Sequence, residues 1–355
     1  MYGEHDYEVL TSSREGLQRQ EDHFGSKQRH DTDGYNIIPF GYCTYRNRSD
    51  DGKFAFNINT ISEKAIVSKF YPVFRFTNAN STFMAEFLNS SPRVKKKLSV
   101  LAVGTSQVVL SFEALKAAKF DLPCKDEQDK IAAFLECLNT RIENQRTLVV
   151  ALKKYKRGVV DGIFSRKLNF SHPQAWAELE ISELFMPISD KGYSDKIVLT
   201  IVQGEGTMPR DSVDRRIAYD KSTISSYKRV LPNDFILHLR SFEGGLEIVN
   251  EEGVVSPAYT ILRARNEIIP LFFYTFFRSY WFINSKLRIS VEGIRDGKSI
   301  NMNTFWHIKV PVPSIEEQCH ISALISSIDN RIKIAEFEYK RLLQIRVGLM
   351  QQLFI

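Results

Sequence analysis

The stretch PSIEEQCHISALISSIDNRI, Pro313 to Ile332, answers PCKDEQDKIAAFLECLNTRI, Pro123 to Ile142, at an offset of 313 − 123 = 190. The correspondence runs on without insertion or deletion through Leu152/Leu342 and Gly158/Gly348 to Phe164/Phe354. It includes Glu127/Glu317, Gln128/Gln318, Ile131/Ile321, Arg141/Arg331 and Ile142/Ile332. A repeat of this length governs the reading of everything around it, because the chain is then built twice on one plan.

Each copy reads as one long helix. In the second, Ile321, Ile325, Ile328, Ile332, Ala335, Tyr339, Leu342, Leu349 and Leu353 fall on an alternating four-three spacing. The first copy places Ile131, Leu135, Leu138, Ile142, Val149, Leu152, Val159 and Ile163 at the equivalent positions. That 3.5-residue period is the seam of a coiled coil. Ser314 with Glu317 forms a capping-box pattern, and Cys124 replaces the serine in the first copy, so the first cap is expected to be weaker. A helix of about 38 residues spans roughly 55 Å. A base interrupts the seam at one matched place, Lys156 and Arg346. Either it reaches out to solvent along its aliphatic stem or it faces a partner or a phosphate. Two such helices can bury their seams on each other, most simply antiparallel; packing on separate partner chains is the alternative.

Two segments of mixed character lie outside the helices and align loosely with each other. Val67-Ser68 and Tyr71 answer Val255-Ser256 and Tyr259, while Phe83 and Phe87 answer Phe272 and Phe276. Short β-branched and aromatic runs such as Phe235 to Leu239 and Tyr71 to Phe76 predict small twisted sheets. The expected fold is α+β: two globular mixed α/β heads, each followed by a long helix, the two helices pairing as an antiparallel coiled coil. The division is head one over 1–122, helix over 123–168, head two over 169–312 and helix over 313–355. Asn169 to Gln174 reads as the linker. Head two is led in by Trp176 to Ile188, and nothing ahead of Asp6 answers that segment.

At 355 residues, with 43% hydrophobic and 25% charged residues, the chain has material for two folded domains. A net charge of +6 and a pI near 9.0 lean modestly toward a polyanionic partner. The four cysteines form no CxxC pair, which argues against structural zinc and for a reducing cytoplasm. No signal peptide is legible, and Ile268 to Ile283 is too short and too aromatic for a membrane span.

Catalytic signatures are missing. There is no GxxxxGK[ST] loop and no Rossmann fingerprint, since Gly204-Glu-Gly206 reads as a turn. No run resembling Asn-Pro-Pro-Tyr is present to hold a target amine, and the seven histidines lack metal spacing. Asp50-Asp51-Gly52 is explained by a tight turn at least as well as by a nuclease cluster. No catalytic residue and no metal site is assigned.

Basic and hydrogen-bonding residues do cluster in the loops of both heads. Head one offers Arg19, Lys27, Arg29, Arg46 and Arg48; head two offers Arg210, Arg215, Arg216, Lys228, Arg240, Ser241, Arg295 and Lys298. Arginine reads guanine edges bidentately, whereas lysine and serine mostly hold phosphates. For any single residue a solvated charged face is the plain reading; the clustering beside turns in both heads is what points to DNA.

The chain resembles the DNA-specificity subunits of type I restriction–modification systems. The resemblance is carried by Leu122-Pro123, Glu127-Gln128, Ile131, Leu138 and Arg141-Ile142, by Pro311 to Gln318 and Ile328 to Ile332, and by the lead-in Trp176 to Ile181. It covers nearly the whole chain. It implies a non-catalytic subunit whose two heads each read one half of a split, asymmetric double-stranded DNA target. The helices would set the spacer and dock methyltransferase subunits, two in number, along the seam residues Ile131, Leu135, Leu138, Ile142, Ile321, Ile325, Ile328 and Ile332. S-adenosylmethionine, ATP and Mg would belong to the methyltransferase and restriction–translocase partners. The departure is the lead-in that head one lacks. A coiled-coil adaptor without sequence-specific DNA binding is the rival reading; a self-contained nuclease or modification enzyme would need residues that are not found.

Overall fold

A computed structural model describes residues 7–25, 32–168, 176–213, 221–238, 244–293 and 298–354. The linker expected over Asn169 to Gln174 lies outside them. In the first 122 residues the elements are β1 (Glu8–Ser13), β2 (Gly16–Arg19), α1 (Gln20–Phe24), β3 (Asn36–Ile37), β4 (Cys43–Tyr45), β5 (Arg48–Ser49), β6 (Phe56–Ile58), β7 (Ala65–Val67), β8 (Val73–Phe74), α2 (Ser81–Ser90), α3 (Pro92–Leu101), β9 (Val108–Val109) and α4 (Phe112–Ala117). The first repeated helix is α5 (Lys125–Phe164). Then come β10 (Ala177–Glu180), α6 (Ile181–Leu184), β11 (Phe185–Ile188), β12 (Leu199–Val202), β13 (Gly206–Pro209), β14 (Lys228–Val230), β15 (Phe235–His238), β16 (Glu247–Ile248), β17 (Gly253–Val255), β18 (Tyr259–Ala264), α7 (Pro270–Phe277), β19 (Val291–Glu292), β20 (Ser299–Ile300), α8 (Met302–Trp306), β21 (Lys309–Val312) and α9 (Ile315–Leu353).

The chain divides into two compact units, and the division cuts through both long helices. One unit holds Met1–Thr147 with Phe337–Ile355; the other holds Leu148–Glu336. In the first unit, β1, β2, β7 and β3 form one sheet in the order β2-β1-β7-β3, and β6-β4-β8 form another. Tyr45, Phe56, Leu88, Val94, Leu98 and Leu110 are buried between the second sheet and helices α2 and α3. Asn80 starts α2, its side chain accepting from the Phe83 N–H at 2.9 Å. In the second unit the main sheet runs β11-β18-β15-β16. Against it lies α7, opened by Pro270 at its first position. Phe272, Phe273, Phe276 and Phe277 are all fully buried, and most ring pairs among them and Phe185, Phe235 and Phe282 meet edge-on or tilted.

The two helices run antiparallel within each unit. In the first, Leu135 shares a cluster with Met350, Asn139 meets Arg346, and Gln145 meets Glu338. In the second, Lys153 pairs with Glu336 at 2.7 Å and Lys156 with Asp329 at 2.6 Å. The matched bases therefore neither reach out to solvent nor wait for a phosphate. Lys156–Asp329 and Arg346–Asn139 are the same bridge made twice, since Asn139 answers Asp329. Arg346 adds a forked pair to Glu86 at 2.8 and 3.0 Å.

The seam does more than join helix to helix. Ile131 and Leu135 pack with Phe83 and Met84 of α2 as well as with Met350 and Phe354. Ile321 and Ile325 enter the aromatic core around α7 together with Val160, Ile163 and Phe164. Ile328 and Ile332 are buried, while Leu138 and Ile142 are half-buried. Each helix end thus completes a head: Phe164 packs on Phe272 and Phe276, and Phe354 packs on Phe83 and Phe87.

Two glutamines of the repeat fix where the heads meet their helices. Buried Gln128 accepts from the Asn80 N–H at 3.0 Å and donates to the Pro123 carbonyl at 2.9 Å. Buried Gln318 does the same with Ile269 and Pro313, both at 3.0 Å. Gln318→Ala strands a donor and an acceptor, and leaving one such buried group unpaired costs about 1–3 kcal/mol. The expected loss in the second unit is therefore about 2–4 kcal/mol, readable as a lowered urea midpoint; a neutral result would mean the glutamine merely fills space.

Candidate nucleic-acid interface

Ser12, Ser13 and Arg14 close the β1–β2 hairpin, whose turn Gly16 takes at a φ of 129° that only glycine tolerates. The Asn57 amide donates to the Ser12 hydroxyl and the Ser13 carbonyl, both at 2.8 Å, fixing this turn beside β6. Across from it, β4 leads into β5 with Arg46 and Arg48 exposed on the way. Together with Lys53 these residues line a cleft of about 110 Å³. Asp51 organises it: the Ser49 hydroxyl donates at 2.9 Å, the Lys53 backbone at 3.2 Å and Arg14 at 2.5 Å. Those bonds, the Ser49 one foremost, hold its carboxyl below the usual carboxylate range.

Four cations against two neighbouring carboxylates, with hydroxyls between them, make a small electropositive notch. Its volume is well under the few hundred cubic ångströms of a small-molecule pocket and suits a phosphate group. Next to it, Arg48 stands over the half-exposed Phe70 ring at 5.6 Å, and Lys69 approaches the same ring at 5.7 Å. A larger hollow of about 720 Å³ beside α2 shares Arg14 and Lys53 with the notch and adds Lys95 and Arg346, the last already committed to Glu86.

The other sequence candidates separate by position. Arg19 is bound to Glu8 at 2.9 Å, which lowers the Glu8 carboxyl and raises the guanidinium further. It does not line the cleft. Arg210 is half-buried, and its backbone N–H donates to the Val198 carbonyl at 2.9 Å. Lys228 is turned inward: its ammonium donates to the Tyr259 carbonyl at 2.6 Å, and burial, with Lys191 nearby, pushes it below the ordinary lysine range. Lys298 is exposed beside β20. Lys27, Arg29, Arg215, Arg216, Arg240, Ser241 and Arg295 lie outside the described residues. Arg14 and Lys53 were missed in the sequence. The first sits in a hairpin turn and the second follows an Asp-Asp-Gly turn, and only folding brings them to Arg46 and Arg48.

Residues 3–152, carrying this cleft and the first part of α5, match the family model of the type I restriction modification DNA specificity domain. The match stops within α5, at residue 152. A relative assigned as the MjaX type I restriction enzyme specificity subunit of Methanocaldococcus jannaschii is 23% identical over 258 residues. That match takes in 67% of this chain and 59% of the relative, so the chain answers to about three-fifths of the relative's length. Two solved structures share the fold. One comes from work on complex assembly and conformational transition of the type I restriction–modification system; it has a TM-score of 0.55 and 16% identity, covering 90% of this chain and 83% of that one. The other is the type I restriction–modification S subunit from M. genitalium, with a TM-score of 0.54 and 19% identity over 99% and 89%. Residues 3–152 are thus similar to a type I DNA specificity domain, and the chain as a whole shares the fold of the two solved structures.

Proposed function

We propose that this chain is the non-catalytic reading subunit of a type I restriction–modification complex, each head reading one half of a split, asymmetric duplex target. The target-recognition domains are residues 1–122 and 169–312, and the helices over 123–168 and 313–355 serve as the spacer. The observation that carries this is a doubled frame under unlike heads. The helix-end phenylalanines, the clamping glutamines and the Lys156/Arg346 bridges recur at the 190-residue offset. The loops above them differ: the β1–β2 turn is Arg14-Glu15, whereas the β12–β13 turn is Gln203-Gly204-Glu205. A frame made twice with different tips is what two independent half-sites require.

Partner subunits carry the chemistry in this reading. Methyltransferase subunits, most simply two, bind S-adenosylmethionine, and a restriction–translocase subunit uses ATP and Mg. Their docking surface lies on exposed apolar helix positions: Phe134, Phe337 and Val347 in one unit, and Val150, Tyr155 and Ile334 in the other. Solvent-facing aromatic and aliphatic groups at this density mark contact surfaces. Among the described residues no helix is long and apolar enough to cross a membrane, and we place the complex in the cytoplasm. The adaptor alternative predicts no salt-dependent duplex binding, whereas phosphate contacts require affinity to fall steeply with salt.

The test is an exchange of head two, residues 176–308, for that of another family member, followed by mapping of methylated adenines in cells that also express the methyltransferase. One half of the modified sequence is expected to change and the other to stay. Changes in both halves would refute independent reading by the heads.

A further inference from the structure

The turn from β7 to β8 and the turn from β17 to β18 are one device made twice, at an offset of 256 − 68 = 188. In head one the Tyr71 N–H donates to the Ser68 carbonyl at 2.8 Å and the Phe70 N–H to the Ser68 hydroxyl at 3.4 Å. In head two the Tyr259 N–H donates to the Ser256 carbonyl at 3.1 Å and the Ala258 N–H to the Ser256 hydroxyl at 3.4 Å. The clamp on the turn recurs as well. Asn36 stands opposite Val67 and donates to the Tyr71 carbonyl at 2.9 Å; Lys228 stands opposite Val255 and donates to the Tyr259 carbonyl at 2.6 Å. Asn36 also reaches the Lys69 carbonyl at 3.3 Å.

Only the tip differs. Lys69-Phe70 stands where head two has Pro257-Ala258, and all four residues are exposed. Head two makes the same turn with a methyl group, so folding does not call for a ring at this place. Yet the Phe70 side chain is carried outward at 55% exposure on a turn that hydrogen bonds hold still. Two cations bracket it, the Arg48 guanidinium at 5.6 Å and the Lys69 ammonium at 5.7 Å from the ring centroid. Arg48 also lines the cationic notch. A rigidly mounted apolar ring between cations, at the margin of a phosphate-sized cleft, matches a polyanion whose apolar faces lie stacked between its charges. That polymer is duplex DNA.

We propose that Phe70 is a wedge that enters one base step of the half-site read by head one, while Arg48 and Lys69 hold the phosphates on either side of it. An apolar side chain driven between base pairs unstacks them and bends the duplex. The step that yields most readily is the flexible one, so the wedge adds a preference for sequence without hydrogen bonding to a base edge. Head two, with Ala258, has no counterpart, and the distortion falls on one half of the target alone. The wedge presupposes that head one binds duplex DNA, as proposed above.

The probe is the duplex identified by mapping methylated adenines, with 2-aminopurine, which brightens when unstacked, replacing adenines of each half in turn. Titration of the full chain is expected to brighten one position, in head one's half only. Phe70→Ala, which copies the tip of head two, should abolish the brightening and weaken binding to the target about ten- to a hundredfold, the usual worth of a base stacked on an aromatic ring. Phe70→Leu keeps a wedge and should keep most of both effects. Neither variant should change the salt slope or the thermal midpoint, because the ring carries no charge and the twin turn forms with alanine. Salt-dependent binding that brightens no position would overturn the wedge and leave duplex reading intact. Brightening that survives Phe70→Ala would overturn it too. Weakened binding by Phe70→Ala without brightening in the unchanged chain would assign the ring to a thymine methyl, again against the wedge. Absence of salt-dependent duplex binding by the unchanged chain would remove duplex reading and the wedge together.

Discussion

Phe164→Ala is expected to destabilise the unit of Leu148–Glu336 by about 3–5 kcal/mol, the usual cost of emptying a large aromatic site. The ring is 2% exposed, with its centroid 5.5 Å from Phe272 and 5.0 Å from Phe276, both fully buried. Its neighbours are rings and β-branched side chains that cannot collapse into the space. Phe354 makes the equivalent contacts with Phe83 and Phe87 at 5.6 and 5.9 Å. There the surroundings include Met84 and Met350, which adapt, and Phe87 is already half-buried. Phe354→Ala should therefore cost its own unit less. Native-state hydrogen exchange on α7 and on α2 separates the two losses. A domain's whole stability is about 5–15 kcal/mol, so the first variant should expose α7 at ordinary temperature. Equal and small effects would mean that the helix ends rest on the heads without completing their cores.

The helices were legible because a 3.5-residue period over a long stretch has one structural meaning. What packs on the seam was not legible. Ile321 and Ile332 obey the same spacing, yet Ile321 belongs to a head's aromatic core. Periodicity marks the buried face of a helix and is silent on whether a second helix or a sheet-bearing head covers it. Substituting charge at Ile328 and Ile332, both buried, would accordingly unfold the frame instead of reporting on partner docking. The Glu-Gln pair was visible as a repeated motif. The role of Gln128 and Gln318 was hidden, because their acceptors and donors lie in Asn80 and Ile269, far off in sequence. The same distance hid Glu86 from Arg346.

The candidate interface was legible only as composition. Arg19 and Lys228 look like Arg46 and Arg48 in a string of letters. In three dimensions Arg19 is neutralised by Glu8 and Lys228 is spent on a carbonyl, while Arg46 and Arg48 remain exposed. Charge counts register side chains, and a duplex meets only the charges that the fold leaves available.

That difference yields the second large effect. Replacing Arg14, Arg46, Arg48 and Lys53 together by glutamine is expected to make the dependence of log affinity on log salt shallower by about 3–4, since each phosphate contact contributes about 0.9 to that slope. The loss should be nearly the same for target and scrambled duplexes, as phosphate contacts position a protein without reading bases. Folding should survive, because Arg14, Arg46, Arg48 and Lys53 are exposed, and the ion pairs that Arg14 and Lys53 make with Asp51 are surface pairs worth little. Arg19→Gln and Lys228→Gln should leave the slope unchanged, since neither lines the notch and the Lys228 ammonium is turned inward to the Tyr259 carbonyl. Filter binding or fluorescence anisotropy over a salt series reads all three. A slope that moved equally for Arg19→Gln would show that the basic surface acts as a diffuse field and not as a notch. A loss confined to the target duplex would move the four side chains from backbone holding to base reading.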